Sequence, residues 1–239
     1  MGFETVFKRY ELKYFLTKEQ QQNLLDLMKS YMYPDKYGRT TIRNIYFDTD
    51  DYRLIRRSIE KPVYKEKLRI RSYKKANDDE PVFIELKKKF KHIVYKRRLT
   101  LPQLTAINCL SNNIPLPVST QIADEINYFC SYYGNLHPVV FLSYERDAYY
   151  SVERHDFRIT FDENILFRCE NFSFNSEIYG TPILPDNLVL MEIKTAGGIP
   201  LWMTDWLTTN KVFRTSFSKY GTAYQQSIFK KNKGGTKNA

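Results

Sequence analysis

Six short segments in which charged and apolar residues alternate restrict the fold of this chain more than any other feature. In "RYELKYF" one parity holds Arg9, Glu11 and Lys13 and the other Tyr10, Leu12 and Tyr14, and in "KLRIRSY" Lys67, Arg69 and Arg71 oppose Leu68 and Ile70. "VFIELKKK" sets Glu85, Lys87 and Lys89 against Val82, Ile84 and Leu86, and "VYKRRLT" sets Lys96 and Arg98 against Tyr95 and Leu99. Later, "DFRITFD" sets Arg158 against Phe157, Ile159 and Phe161, and "LVLMEIK" sets Glu192 and Lys194 against Val189, Met191 and Ile193. A period of two marks a β-strand with one buried face. Exposure of the other face to water accounts for alternation, but not for the choice of cations over serine, threonine, asparagine and glutamine. Lysine is depleted in strands, and like charges on adjacent strands repel unless something negative lies over them.

The simplest arrangement that satisfies these faces is a closed antiparallel β-barrel with its charged faces inward, an α+β fold with helices packed outside. Its lumen is a tunnel of guanidinium and ammonium groups whose low-dielectric walls focus the field on a bound anion. Arg69 and Arg71, two apart and so on one face, can each grip phosphate oxygens bidentately, while lysines act as point charges. Glu11, Glu85 and Glu192 each stand two residues before a lysine within these faces. They fit either as carboxylates that hold a hard divalent metal bridging to phosphate, or as salt-bridge partners that keep the empty tunnel from repelling itself.

Composition agrees. Lysine plus arginine outnumber aspartate plus glutamate 37 to 27, a formal charge of +10 that favours a polyanionic partner. Cys109, Cys130 and Cys169 form no CxxC spacing and read as buried free thiols, and His92, His137 and His155 form no metal-type pair. The first residues resemble no export signal, and no window approaches a membrane span, so a soluble, cytoplasmic protein is expected. A capped helix is expected at "TKEQQQNLLDLMKSY" and another at "STQIADEINYFCSYYG", with shorter helical pieces at Asp50 to Ile59, Pro200 to Leu207 and Ser218 to Phe229. Residues 1–230 read as one domain and residues 231–239 as a disordered tail.

Eight motifs occur in order: "YELKYFL", "KLRIRSY", "FIELKKK", "VYKRR", "YERDAY", "FRITFDENI", "VLMEIK" and "RTSFSKYGTAY". Together they resemble the vacuolar transporter chaperone catalytic domain of the triphosphate tunnel metalloenzyme superfamily, from Phe7 to Ser227. The resemblance implies a polyphosphate polymerase that moves the γ-phosphoryl group of ATP onto a growing polyphosphate chain with Mn²⁺ or Mg²⁺. It implies catalytic roles for Lys13, Arg69, Arg71, Lys87 and Lys219, and substrate binding by Lys96, Arg98, Arg146, Arg158, Lys194 and Ser218. Glu192 would hold the metal, with Glu11 and Glu85 beside it. Triphosphate and pyrophosphate are further expected ligands, and nucleic acid is not one. A membrane-protein partner would place the protein at the inner face of the membrane.

Arg146 fits the resemblance better than the alternation, because it shares a parity with Leu142 while Glu145 and Asp147 take the other face. Hydrolytic members of the superfamily tend to open with ExExK, whereas Arg9 stands at the first position here, which favours the polymerase branch. Three alternatives stay open: triphosphate or nucleotide hydrolysis on the same fold, a nucleic-acid-binding module that uses the 15% aromatic content to stack bases, and a polyphosphate-binding protein without catalysis.

Overall fold

The computed structural model describes residues 10–91 and 93–228; Arg9, His92, Phe229 and the tail at 231–239 lie outside them. In chain order the elements are β1 (Tyr10–Thr17), α1 (Lys18–Met28), β2 (Met32–Pro34), β3 (Thr40–Asp48), α2 (Arg53–Ile59), β4 (Tyr64–Ser72), β5 (Pro81–Phe90) and β6 (Ile93–Pro102). There follow α3 (Gln103–Ser111), α4 (Gln121–Tyr133), β7 (His137–Ser151), β8 (Arg158–Arg168), β9 (Thr181–Pro182), β10 (Leu188–Thr195), α5 (Leu201–Thr209), β11 (Arg214–Thr215) and α6 (Lys219–Ala223), which runs into a π-helical turn at Tyr224–Ile228.

The helix ends follow local chemistry. Thr17 and Gln20 form a capping box at the start of α1, each side chain accepting from the other's backbone N–H. At α4 the Thr120 hydroxyl accepts from Ala123 N, and Gly134 at φ +74° ends the helix. The buried Asp48 carboxylate accepts from the backbone N–H groups of Leu54 and Ile55 at 2.8 and 3.0 Å, anchoring the first turn of α2.

All strands are antiparallel to their neighbours in one sheet, ordered β11-β1-β10-β8-β7-β3-β4-β5-β6, with β2 on β7 and β9 on β8. The sheet curls so strongly that side chains from β1 and β5, six strands apart along the hydrogen-bonded path, touch: Lys87 donates to Glu11 at 2.8 Å. The expected barrel is not closed, however, because the end strands β11 and β6 do not pair with each other. The two-residue β11 is too short to continue the ladder. The C-terminal segment reaches both sides of the lumen instead, where Lys13 donates to the Phe217 carbonyl and Lys67 to the Ser218 hydroxyl.

The apolar core has three parts. On the outer face, α1 and α5 cover β1, β8 and β10 through Leu24, Met28, Met203 and Trp206. Elsewhere on that face, α3 and α4 cover β3, β4 and β5 through Ala106, Leu110, Ile126 and Phe129. The third part departs from the expectation that helices pack only outside. Ile55 of α2 and Tyr220 and Ala223 of α6 pack with Ile42 and Tyr46, Val140 and Leu142, and Leu190, residues of the sheet's inner parity. One end of the lumen is therefore filled by apolar side chains.

A candidate anion site in the lumen

The charged parities of the predicted strands meet on the concave side of the sheet as two facing walls. On the first, Lys13 lies directly opposite Glu192, with Nζ 3.9 Å from the carboxylate. Lys194 and Arg146 approach the same carboxylate at 3.3 and 3.8 Å. Arg146 forks onto the fully buried Asp162 at 2.6 and 2.7 Å, a bidentate geometry that fixes the guanidinium. Lys219 also donates to Asp162 and lies over the Tyr144 ring. Arg158, farther along β8, is 3.6 Å from Asp35 and stacks on Tyr150.

The second wall centres on Glu85, only 1% exposed. Register places it opposite Arg69 on β4 and Arg98 on β6. Arg69 donates to it at 2.7 and 2.9 Å, Arg98 at 2.9 Å and Lys96 at 2.8 Å, while Arg71 stands 3.8 Å away. Both Glu85 oxygens thus accept from cations, an arrangement that holds four positive side chains in place. Arg71 donates to Asn44 at 2.9 Å and to the Tyr144 hydroxyl at 3.2 Å, which ties this wall to the first. Ser218 accepts from Gly221 N at 3.2 Å as the cap of α6, one residue before Lys219.

Electrostatics in the lumen follow from these neighbours. Burial opposes the charge of Glu192, but Lys194, Lys13 and Arg146 outweigh it and hold the carboxyl well below its usual range. Glu85 is likewise held down, against burial, by Arg69, Arg71 and Lys96. Asp162 falls to about 2, since Arg146 and Lys219 outweigh burial. Burial pushes Lys13 down to about 8 despite Glu192. Tyr144 is acidified to about 8: burial alone would raise it, but Arg71 at its hydroxyl and Arg146 and Lys219 over its ring outweigh burial.

The donor set fits a divalent metal held partly by its ligand. Glu11 and Glu192 are lumen carboxylates close enough that Glu192 opposes the ionisation of Glu11, although, against burial, Lys87 and Lys194 hold the Glu11 carboxyl below its usual value, and the nearest cations to Glu192 stand at 3.3–3.9 Å, beyond hydrogen-bond contact. Thr160, directly opposite Glu192 and fully buried, has a hydroxyl without a hydrogen-bond partner among the described residues. No three His, Cys, Asp or Glu converge among the described residues. Two carboxylates would suit a hard divalent cation.

Sequence reasoning did not single out Tyr144, Asn44, Tyr46 or Asp162. Asp162 was within reach of the alternation, as it shares the parity of Arg158 in "DFRITFD". Arg146 faces the lumen although its parity includes Leu142, because the inner face of β7 changes from apolar to charged along its length: Val140 and Leu142 belong to the apolar plug, and Arg146 lies beyond it. Glu145 and Asp147, on the outer face, pair with Arg39. The thiols lie elsewhere: Cys109 and Cys130 are in the outer core, where burial pushes Cys130 up to about 12, but Cys169, expected to be buried, is exposed because it follows the end of β8.

A curled antiparallel sheet around a lumen of paired cations and carboxylates is a tunnel-type fold. Residues 8–228 match the model of the VTC domain, and the chain belongs to that family. Two solved structures share the fold. One, from Hippeastrum, is described as a putative adenylyl cyclase with a dominant triphosphatase activity; it has a TM-score of 0.57 at 16% identity, over 92% of this chain and 95% of that one. The other, a putative adenylate cyclase from Bacillus halodurans, has a TM-score of 0.53 at 18% identity, over 88% and 95%. No match was found among curated proteins. Among the described residues no helix is long and apolar enough to cross a membrane.

Proposed function

We propose that this protein is a polyphosphate polymerase that transfers the γ-phosphoryl group of ATP to the end of a polyphosphate chain within the lumen. The observation that carries the reading is the meeting of Lys13, Arg69, Arg71, Lys87 and Lys219 in one lumen with the carboxylate pair Glu11 and Glu192. Membership of the VTC domain family supports it.

Phosphoryl transfer through a loose transition state needs alignment and charge stabilisation more than covalent catalysis. The terminal oxygen of the chain attacks the γ-phosphorus, the bond to the β,γ-bridging oxygen breaks, and ADP leaves. That attacking oxygen is already anionic, so the reaction needs no histidine or cysteine base. The obstacle is repulsion between two polyanions. Arg69 and Arg71, held by Glu85, Asn44 and Tyr144, would orient phosphate oxygens on one side, and Arg146 and Lys219, held by Asp162, on the other. Lys96, Arg98, Arg158, Lys194 and Ser218 would extend or support this binding surface. Glu192 and Glu11 would hold Mn²⁺ or Mg²⁺, which when bound supplies charge neutralisation at the phosphoryl oxygens. Glu85 serves as the anchor of the cations around it.

Incubation of the pure protein with ATP and Mn²⁺ or Mg²⁺ tests the reading. Long acid-labile phosphate chains on a gel are expected, with ADP as co-product. Release of inorganic phosphate without chain formation would assign hydrolysis to the same lumen. Competition by DNA at equal phosphate concentration would instead point to nucleic acid.

A further inference from the structure

Most lumen cations have a carboxylate within ion-pair distance. Lys13, Lys194 and Arg146 share Glu192; Arg69, Arg71, Lys96 and Arg98 share Glu85; Lys219 has Asp162, and Lys87 has Glu11. Three lysines depart from this pattern. Lys65, Lys67 and Lys89 form no ion pair with any described carboxylate. Lys65 donates only to the Ser58 carbonyl at 3.2 Å, and Lys67 to the Ser218 hydroxyl at 2.9 Å.

Register makes the departure sharper. Lys67 lies directly opposite Lys87, and Lys65 directly opposite Lys89, on adjacent strands. Opposed like charges destabilise a sheet unless an anion lies across them. Beyond this double row the chain turns, and the Lys91 backbone N–H donates to the Val63 carbonyl at 3.1 Å, so exposed Lys61 and Lys91 flank the same end of β4 and β5. Burial lowers the pKa of Lys67 well below its usual value, and Lys13, Lys87, Lys65 and Arg69 lower it further. Burial lowers Lys65 too, with Lys89, Lys87 and Lys61 adding to the effect.

We propose that Lys65, Lys67 and Lys89 form a second phosphate-chain subsite, which carries the part of a linear polyphosphate that extends past the triphosphate-binding residues towards the ends of β4 and β5. This deepens the tunnel reading and rests on it. Lysines alternate along a strand about 7 Å apart and face the next strand about 5 Å away, and polyphosphate bears a charge on every link without sugars or bases between. The half-buried row suits such a chain better than a nucleic acid, whose bases need space beside the backbone. Lys67, directly opposite Lys87, is the near end of the row, and Lys65 and Lys89 stand one side-chain repeat farther out, so a triphosphate held at Lys87 would meet the row only at Lys67. The subsite therefore responds to chain length.

The test is binding without metal, at fixed ionic strength, of triphosphate and of a much longer linear polyphosphate. Wild type should hold the long chain at least about tenfold more tightly, equivalent to about 1.4 kcal/mol. A Lys65→Gln/Lys89→Gln variant should lose that preference while its triphosphate affinity changes less than about twofold. Removing a repulsive pair should leave its melting temperature level or higher, and Lys65→Arg/Lys89→Arg should keep the preference. In wild type, the salt dependence should be steeper for the long chain than for triphosphate, and the difference should vanish in the glutamine variant. Equal loss for both ligands, or no loss for the long chain, overturns the subsite. So does single-stranded DNA that binds as tightly as polyphosphate at equal phosphate concentration. Failure of wild type to bind either phosphate ligand would overturn the tunnel reading itself, a distinct outcome.

Discussion

Glu85 and Glu192 stand in the same ExK pattern, but their surroundings give them different chemistry. Glu85 is sealed against four cations, so Glu85→Gln leaves Arg69, Arg71, Lys96 and Arg98 crowded without their counter-charge. Breaking a buried network this way costs about 3–5 kcal/mol, and a lower melting temperature should be its main effect. Glu192 has looser cation contacts and an unpartnered Thr160 hydroxyl opposite it. Glu192→Gln should abolish metal-dependent turnover while metal-free triphosphate affinity stays level or rises, because one negative charge has left a cationic lumen. Near-normal synthesis at low Mn²⁺ would remove Glu192 from the metal site. Tyr144 offers an optical probe of the same region. With its pKa near 8 it is partly phenolate at pH 8, and an incoming polyanion disfavours that negative charge. Triphosphate should therefore reduce phenolate absorbance at pH 8, and Tyr144→Phe should abolish the change; an unchanged signal would place the anion away from Tyr144.

Whether an element could be read from sequence depended on how many of its faces are buried. Among the described residues the six alternating segments supply β1, β4, β5, β6, β8 and β10, since each has an apolar face against outer helices and a charged face in the lumen. β3 and the first half of β7 escaped that reading because both of their faces are covered. Ile45 and Phe141 pack outward while Ile42, Val140 and Leu142 pack against the internal plug, so no alternation survives in "TTIRNIYFD" or "HPVVFL". The apolar plug and the unclosed seam were equally hidden: both depend on where α2 and the C-terminal segment settle in space. The charged half of the candidate site was legible because its cations recur at period two, whereas Tyr144 and Asn44 show their polar role only through Arg71. A prediction at this scale concerns α6. The Ser218 hydroxyl caps that helix and accepts from Lys67, so Ser218→Ala should cost about 1 kcal/mol of stability. It should weaken triphosphate binding further by releasing the segment that presents Lys219. Thermal melting and triphosphate titration check the two effects separately, and unchanged affinity would mean that Asp162 alone positions Lys219.

At the scale of the whole molecule, the sheet is an incomplete barrel whose facing walls are continuous through β3 on one side and joined by only a few contacts on the other. Lys87 with Glu11 crosses the lumen, and the C-terminal segment joins Lys13 of β1 to Lys67 of β4 through the Phe217 carbonyl and the Ser218 hydroxyl, while the end strands share no ladder. The chain carries a formal charge of +10, and the lysine row on β4 and β5 adds repulsion that no described carboxylate relieves. An anion bound between the walls would attract both and bind the folded state alone, so it should stabilise the molecule by mass action. At a triphosphate concentration one hundred times Kd the gain is about 2.7 kcal/mol, which for a chain of this size corresponds to a rise in melting temperature of roughly 5–10 °C. Sodium chloride at matched ionic strength should give a smaller rise, because screening weakens repulsion without bridging the walls. Glu11→Gln sharpens the test. Losing the Lys87 contact should lower the melting temperature of the free protein, while the rise produced by triphosphate should be at least as large as in wild type, since the bridging anion replaces the lost carboxylate. Equal shifts from triphosphate and sodium chloride would mean that charge screening alone stabilises the fold and that no anion joins the two walls.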